Sequence, residues 1–489
     1  MANNTASDTT DLGSGSIPKL MLKMAVPTII AQIINMLYNV VDRIYIGHIE
    51  NVGAAALTGV GVTFPIITTI TAFSSLIGMG GAPRAAIFMG QGNNKTAEKI
   101  LGNCFTSLIV LSVILTALAL IFAEPFILLF GGNADTTLTY ALDYIRIYAI
   151  GTIFVQFVLG MNIFLTTQGF STKAMQTIII GAVLNILLDP IFIFAFKMGV
   201  KGAALATIIS QGVSAVWVFI FLTGKKTTLK IKRENLGFSK KIMLPVLALG
   251  LSPFIMQFTE SILTVSFNFS LAKYGGDLAV GSMTILATIL QFGMMPLQGL
   301  TQGAQPITSF NYGAGNKERV KQSFKLLLII CLSFSIVFWA VCMFLPNILI
   351  GIFSNDPALT EFGVWSLRIY IASMCIFGIQ TACQQTFVAL NQAGSSIFLA
   401  LLRKIVLLIP LIFILPNVIT PEFASIFIPD NIAAMLGGSF NITKVFAVFL
   451  AEPVSDFLAV TVTACLFAFR FRRILGGIKP APARGDSNG

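Results

Sequence analysis

Twelve long apolar runs, separated by short polar or Gly/Pro-bearing stretches, dominate the chain. They fall near 20–46, 54–82, 98–122, 138–164, 175–196, 202–222, 243–271, 280–308, 322–346, 362–390, 396–416 and 444–469. A helix needs about 20 residues to cross a hydrocarbon layer about 30 Å thick, and each run is long enough. The pattern predicts an all-α polytopic membrane protein with twelve transmembrane helices.

Composition agrees. Of 489 residues 56% are hydrophobic and only 10% charged, with a mean hydropathy of +0.87, whereas a soluble domain carries about 25% charged residues. Twelve crossings use about 240 residues, so no large soluble domain fits. The 42 glycines and 42 phenylalanines suit helices that approach closely at small residues and face lipid with bulky ones.

The net charge of +11 reads as topology and not as affinity for nucleic acid. Segments assigned to the cytoplasm hold 24 of the 31 Lys and Arg, seven of them (Lys225, Lys226, Lys230, Lys232, Arg233, Lys240, Lys241) in one central loop. Twelve spans with both termini cytoplasmic satisfy the positive-inside rule, and eleven would scramble it. The polar stretch 1–19 has no apolar signal-like run, so the chain is expected to start in the cytoplasm of a cell membrane. Cys104, Cys331, Cys342, Cys375, Cys383 and Cys465 lie in apolar stretches without a CxxC pair, so neither zinc nor a disulfide framework is indicated.

The halves echo each other. Ala25-Val26-Pro27 answers Leu251-Ser252-Pro253, Pro83 answers Pro306, Gly90-Gln91-Gly92-Asn93 answers Gly313-Ala314-Gly315-Asn316, and Arg146-Ile147-Tyr148 answers Arg368-Ile369-Tyr370, at offsets of 222 to 226. A duplicated six-helix unit follows. Six is even, so both copies face the same way, the parallel arrangement known from transporters with a cavity between the halves. The expected organisation is a tail at 1–19, an N-lobe at 20–222, a basic linker at 223–242, a C-lobe at 243–469 and a cytoplasmic tail at 470–489. A longer outer segment, 417–443, with Pro421, Pro429 and Gly437-Gly438, has room for a short interfacial helix. A duplicated structural or receptor-like membrane protein is the bland alternative.

Asp42, Asp189, Glu260, Glu452 and Asp456 lie inside apolar runs, where each carboxylate costs about 2.5–3.5 kcal/mol on insertion scales. Such acids either serve function or sit in ion pairs. Asp42 has Arg43 beside it, although adjacent helical residues point about 100° apart. Gln32, Asn35, Asn39 and Asp42 recur at steps of three, four and three on one helix face. Asn185 and Asp189 share another face, Pro190 frees carbonyls behind them, and Thr207 adds a hydroxyl. Asp42, Asn185, Asp189 and Thr207 would make an all-oxygen pocket for Na⁺ or for a proton held on carboxylates.

The seventh run repeats the device with Gln257, Glu260, Thr264 and Asn268. Glu260 stands alone among apolar and amide neighbours, well placed to attract an organic cation. Gln291, Gln298, Gln302 and Gln305 line one face of the eighth run. With Met256, Met294 and Met295 nearby they suit a cavity wall tolerant of varied ligands, although membrane amides more often join helices. Gln380 and Gln384 carry the same ambiguity. Glu452 and Asp456 are secondary acidic candidates, with an ion pair weighing more for them than for Asp42. No G-x-x-x-x-G-K-[ST] loop exists, so this chain does not hydrolyse ATP. The single histidine, His48, excludes multi-histidine metal centres.

Over about 15–470 the sequence resembles the multidrug and toxic compound extrusion (MATE) family. The matching stretches are the Pro27 run into Asp42-Arg43-Ile44-Tyr45-Ile46-Gly47, the Gly90-Gln91-Gly92-Asn93 turn, Asn185-Ile186-Leu187-Leu188-Asp189-Pro190, and Gly199-Val200-Lys201-Gly202-Ala203-Ala204 leading to Thr207, with the echo at Gly313. The resemblance implies export of organic cations and drugs in exchange for H⁺ or Na⁺, by alternating access of two six-helix lobes. It also implies a cation site at Asp42, Asn185, Asp189 and Thr207. In another branch of that family an acid of the seventh span pairs with an aspartate of the tenth; Glu260 fits the first position, but 362–390 has no Asp. The expectation is therefore a monomeric secondary antiporter, not an enzyme, with no cofactor beyond its coupling ion. A lipid-linked oligosaccharide flippase of related design is the alternative; it would need a cationic cavity, and it gains weight if both Arg146 and Arg368 face that cavity.

Overall fold

A computed structural model describes residues 10–130, 132–354, 356–435 and 439–478, with side chains of the last segment from 442 onward. Most of the two tails and Gly437-Gly438 lie outside these residues. Twelve membrane-crossing elements follow in order. In the N-lobe they are α1 (Ile17–Gly47), α2 (Gly53–Gly90), α3 (Asn94–Leu129), α4 (Leu138–Ile150 and Thr152–Thr167), α5 (Ser171–Ala195) and α6 (Val200–Thr223). In the C-lobe they are α7 (240–275), α8 (277–313), α9 (Lys317–Phe344), α10 (Pro357–Tyr370 and Met374–Ala389), α11 (Ala393–Val418) and α12 (Ser439–Gly477).

Residues 240–313 form a 74-residue helical stretch that would run about 110 Å if straight, far beyond one bilayer crossing. Gly276, at φ 60° and ψ −156°, breaks it into two spans. An L side chain is strained in that conformation, so glycine is what turns the chain back.

Hydropathy predicts the fourth and tenth runs as single spans, but both are bent. The pieces of α4 meet at 59° and those of α10 at 46°. Both bends follow the repeated Arg-Ile-Tyr, and α5 and α11 each contain a π-helical stretch, Ile191–Ala195 and Leu402–Leu408. The duplication visible in sequence thus extends to the irregularities. The outer segment holds two short helices, Pro421–Ser425 and Asp430–Met435.

The lobes meet along α1, α2, α7 and α8. An added Cβ at Gly250 would lie 1.8 Å from the Leu76 carbonyl oxygen, and one at Gly90 would lie 2.0 Å from that of Phe310. Only backbone fits there, so α2 seats directly on α7 and α8. Thr28 donates to the Gly299 carbonyl at 2.6 Å, and Gln32 to Gln302 at 3.0 Å.

Residues 10–15 close the same end. Thr10 N donates to Gly169 O in the N-lobe, while Asn311 and Arg319 of the C-lobe donate to the carbonyls of Leu12, Ser14 and Gly15. Toward the other end the facing helices expose a mixture of apolar and polar side chains: Leu37, Asn39, Phe258, Glu260, Thr264 and Gln291. Polar groups at mid-membrane depth are tolerated beside water and not beside lipid, so water is expected against this half of the seam.

Candidate functional site

Asp42 lies in the last turns of α1, Asn185 and Asp189 one turn apart on α5, and Thr207 two turns into α6. All four are buried. Asn185 Nδ2 donates to Asp189 Oδ1 at 3.2 Å and lies 3.4 Å from Thr207 Oγ1. The carboxyls of Asp42 and Asp189 are electrostatic neighbours across the packing of α1 on α5, and two ionised carboxylates so placed repel unless a proton or a cation lies between them. Tyr38 and Tyr144 stand against the pair.

Three buried oxygens of this cluster, Asp42 Oδ1, Asn185 Oδ1 and Asp189 Oδ2, have no hydrogen-bond partner. Orphaned buried acceptors are costly, and here they converge. Arg43, the nearest base, is exposed and places its guanidinium 5.7 Å from the Phe64 ring centre. Among the described residues no Lys or Arg forms an ion pair with Asp42 or Asp189. The donor set is all oxygen, as a hard monovalent cation requires.

The polar face of α1 divides. From Gln32 to Asp42 the helix turns about 1000°, some 80° short of three full turns. Gln32 therefore meets Gln302 across the seam while Asp42 faces α5 and α6. Asn39 donates to the Asn35 carbonyl at 2.5 Å. Gln32 borders a cavity of about 40 Å³ with Asn162, Thr166, Gln302 and Gln305, space for about one water.

The C-lobe departs from the sequence reading. Glu260 is not a lone acid: its carboxylate is ion-paired with Lys404 of α11. Arg403 bridges Glu452 at 3.1 Å and Asp456 at 2.6 Å and stacks 4.6 Å from the Phe377 ring centre. Glu452 and Asp456 are thus ion-paired through Arg403, and Arg403 and Lys404 belong to the membrane interior instead of the cytoplasmic count. Two basic residues in mid-run with acids four apart on the next span were the available signal.

The other candidate wall residues do not share one enclosed pocket. Gln257 donates to Ser75 of α2 at 2.9 Å. Met256 accepts from Gln384 through Sδ at 3.1 Å, and Met294 packs against the C-lobe core. Met295 is half-buried and Gln298 exposed. Gln380 and Gln384 bond to each other at 3.2 Å and tie α10 to α7 through Ser252.

Two six-helix lobes, a seam shut at one end and acids buried within both lobes define a polytopic membrane transporter. The MatE family model matches residues 27–191 and 253–414, one stretch in each lobe, and the chain belongs to that family of MATE efflux transporters. Among curated relatives, the multidrug export protein MepA of Staphylococcus haemolyticus (strain JCSC1435) is 26% identical over 427 residues, covering 86% of this chain and 92% of the relative. MepA of Staphylococcus aureus (strain MRSA252) is 24% identical, with 85% and 92% covered. Among solved structures, the MATE multidrug transporter DinF-BH, solved as a complex, is 31% identical, with a TM-score of 0.83 over 96% of this chain and 99% of that one.

Proposed function

We propose that the protein is a secondary antiporter that exports organic cations, drugs among them, across the cell membrane in exchange for H⁺ or Na⁺. The observation that carries this reading is the cluster of two buried acids, Asp42 and Asp189, that no Lys or Arg pairs among the described residues, with three buried oxygens that have no hydrogen-bond partner. A cation or proton arriving there relieves the repulsion and satisfies the acceptors, so occupancy changes how α1 packs on α5 and α6. Because α1 also forms the seam through Thr28 and Gln32, that change reaches the interface between lobes. The relatives named as multidrug exporters support drugs as cargo, as does the multidrug transporter DinF-BH at 31% identity.

Under the positive-inside rule the end bearing the termini and the basic linker faces the cytoplasm, so the water-exposed half of the seam faces outward. The chain acts as a monomer, each lobe moving against the other by alternating access, with no cofactor beyond the ion. Arg403 and Lys404 would favour an oligosaccharide-phosphate flippase only if they were free to bind phosphate. Both are paired with carboxylates, and the interior keeps an acidic excess.

The test is uptake of a fluorescent lipophilic cation into inverted vesicles, energised in turn by a proton gradient and a sodium gradient. One gradient should drive accumulation, and Asp189→Asn should abolish it while the protein still inserts. Undiminished gradient-driven transport by both Asp42→Asn and Asp189→Asn removes the proposal.

A further inference from the structure

Glu260 and Lys404 form an asymmetric pair. The Glu260 side chain is 60% exposed, whereas that of Lys404 is 4% exposed. Glu260 lies within one turn of Gln257 and Ser261, through which α7 meets Ser75 and Thr68 of α2. The acid therefore borders the exposed half of the seam, while the ammonium approaches it from inside the lobe. Lys404 also donates to the Met256 carbonyl at 3.2 Å, and it sits in the π-helical stretch of α11. Its neighbour Arg403 is fully engaged by Glu452 and Asp456. The five charges sum to one negative, enough for a single extra positive charge.

An organic cation reaching Glu260 thus meets a carboxylate that already has a counter-ion. To bind, it must displace a buried ammonium that forms no second ion pair among the described residues, and breaking a buried pair is costly because the remaining charge is left uncompensated. We propose that Lys404 is a tethered counter-ion that competes with monovalent organic cations for Glu260 and so limits how tightly the transporter holds them. Weakened holding favours release, which an exporter needs on the far side of the membrane. The proposal rests on organic cations being the cargo.

Tetraphenylphosphonium is a suitable probe, with its binding to purified protein measured by calorimetry. Lys404→Met and Lys404→Gln should each tighten binding by about tenfold or more, Lys404→Arg should stay near wild type, and adding Glu260→Gln should abolish the gain. In the wild-type protein, saturating probe should also increase acetic anhydride modification of Lys404, read by mass spectrometry, because the amine loses its carboxylate. Binding by wild type with no tightening in folded neutral variants overturns the tether, and so does unchanged Lys404 modification where those variants do not fold. Absence of binding by wild type and all variants overturns the cargo reading itself.

Discussion

The seam between α2 and α8 offers a perturbation whose effect is confined to one conformation. A Cβ at Gly90 would lie 2.0 Å from Phe310 O and 2.8 Å from Ala314 N. Ordinary contact to a methyl group needs about 3.4 Å or more, so Gly90→Val forces the two helices apart by more than about 1 Å. Inserting carbon into packed structure costs about 1–3 kcal/mol. Here the cost falls on the state in which the seam is shut, because α2 and α8 belong to different lobes. If alternating access separates them, the closed population should fall by about 5–150-fold relative to the state open at this end. Spin labels at Lys95 and Lys317, exposed at the starts of α3 and α9, in a cysteine-free background would report the separation by pulsed electron resonance. A new, longer distance in Gly90→Val is expected. An unchanged distribution in folded protein would refute the reasoning, since the contact could then be relieved without moving the lobes.

Further outcomes follow from the ion pairs and the terminal segment. Arg403→Met strands Glu452 and Asp456 in the C-lobe interior and should lower stability by about 3–5 kcal/mol, seen as a lowered thermal unfolding temperature in detergent; an unshifted transition would show that the pairs carry no stability. Arg319→Ala removes the donor to Ser14 and Gly15 and one of two donors to Leu12 and should speed proteolysis of the N-terminal segment; protection equal to wild type would mean that Arg319 does not hold it. Glu98 of α3 accepts from Lys232 of the central loop at 2.6 Å and raises the lysine above its ordinary 10.5. That pairing is fully present below pH 10.5 and is lost only as pH rises through the elevated value. Glu98→Gln should therefore accelerate trypsin cleavage of the loop at neutral pH; equal cleavage rates would show that the pair does not hold the loop.

The twelve-span count and the two lobes were legible because lipid imposes a length on every apolar run and duplication left residues in fixed register. Two bends were not, since a span broken at Gly151 or after Tyr370 keeps its hydropathy. Asn185 and Asp189 were legible as a pair because they are four apart on one helix. Their contact with Asp42 depends on how α1 packs against α5, which hydropathy does not encode. In the sequence Glu260 stands alone because its partner lies 144 residues away. Lys404 looked like topological charge because basic residues near span ends normally are. The polar stripe of α1 was legible as a stripe, but the mismatch between the helical repeat and its spacing sends Gln32 and Asp42 to different lobes.

The central claim is that the Asp42 and Asp189 cluster holds the coupling ion and gives it up when the lobes respond to cargo. The most direct test is ion release on binding: add tetraphenylphosphonium to purified, lightly buffered protein and follow a pH indicator, then repeat after loading with radioactive sodium. Wild type should release protons or sodium in proportion to probe bound, and the double variant Asp42→Asn, Asp189→Asn should bind the probe and release neither. Release of the same ion in the same proportion by the double variant would contradict the account.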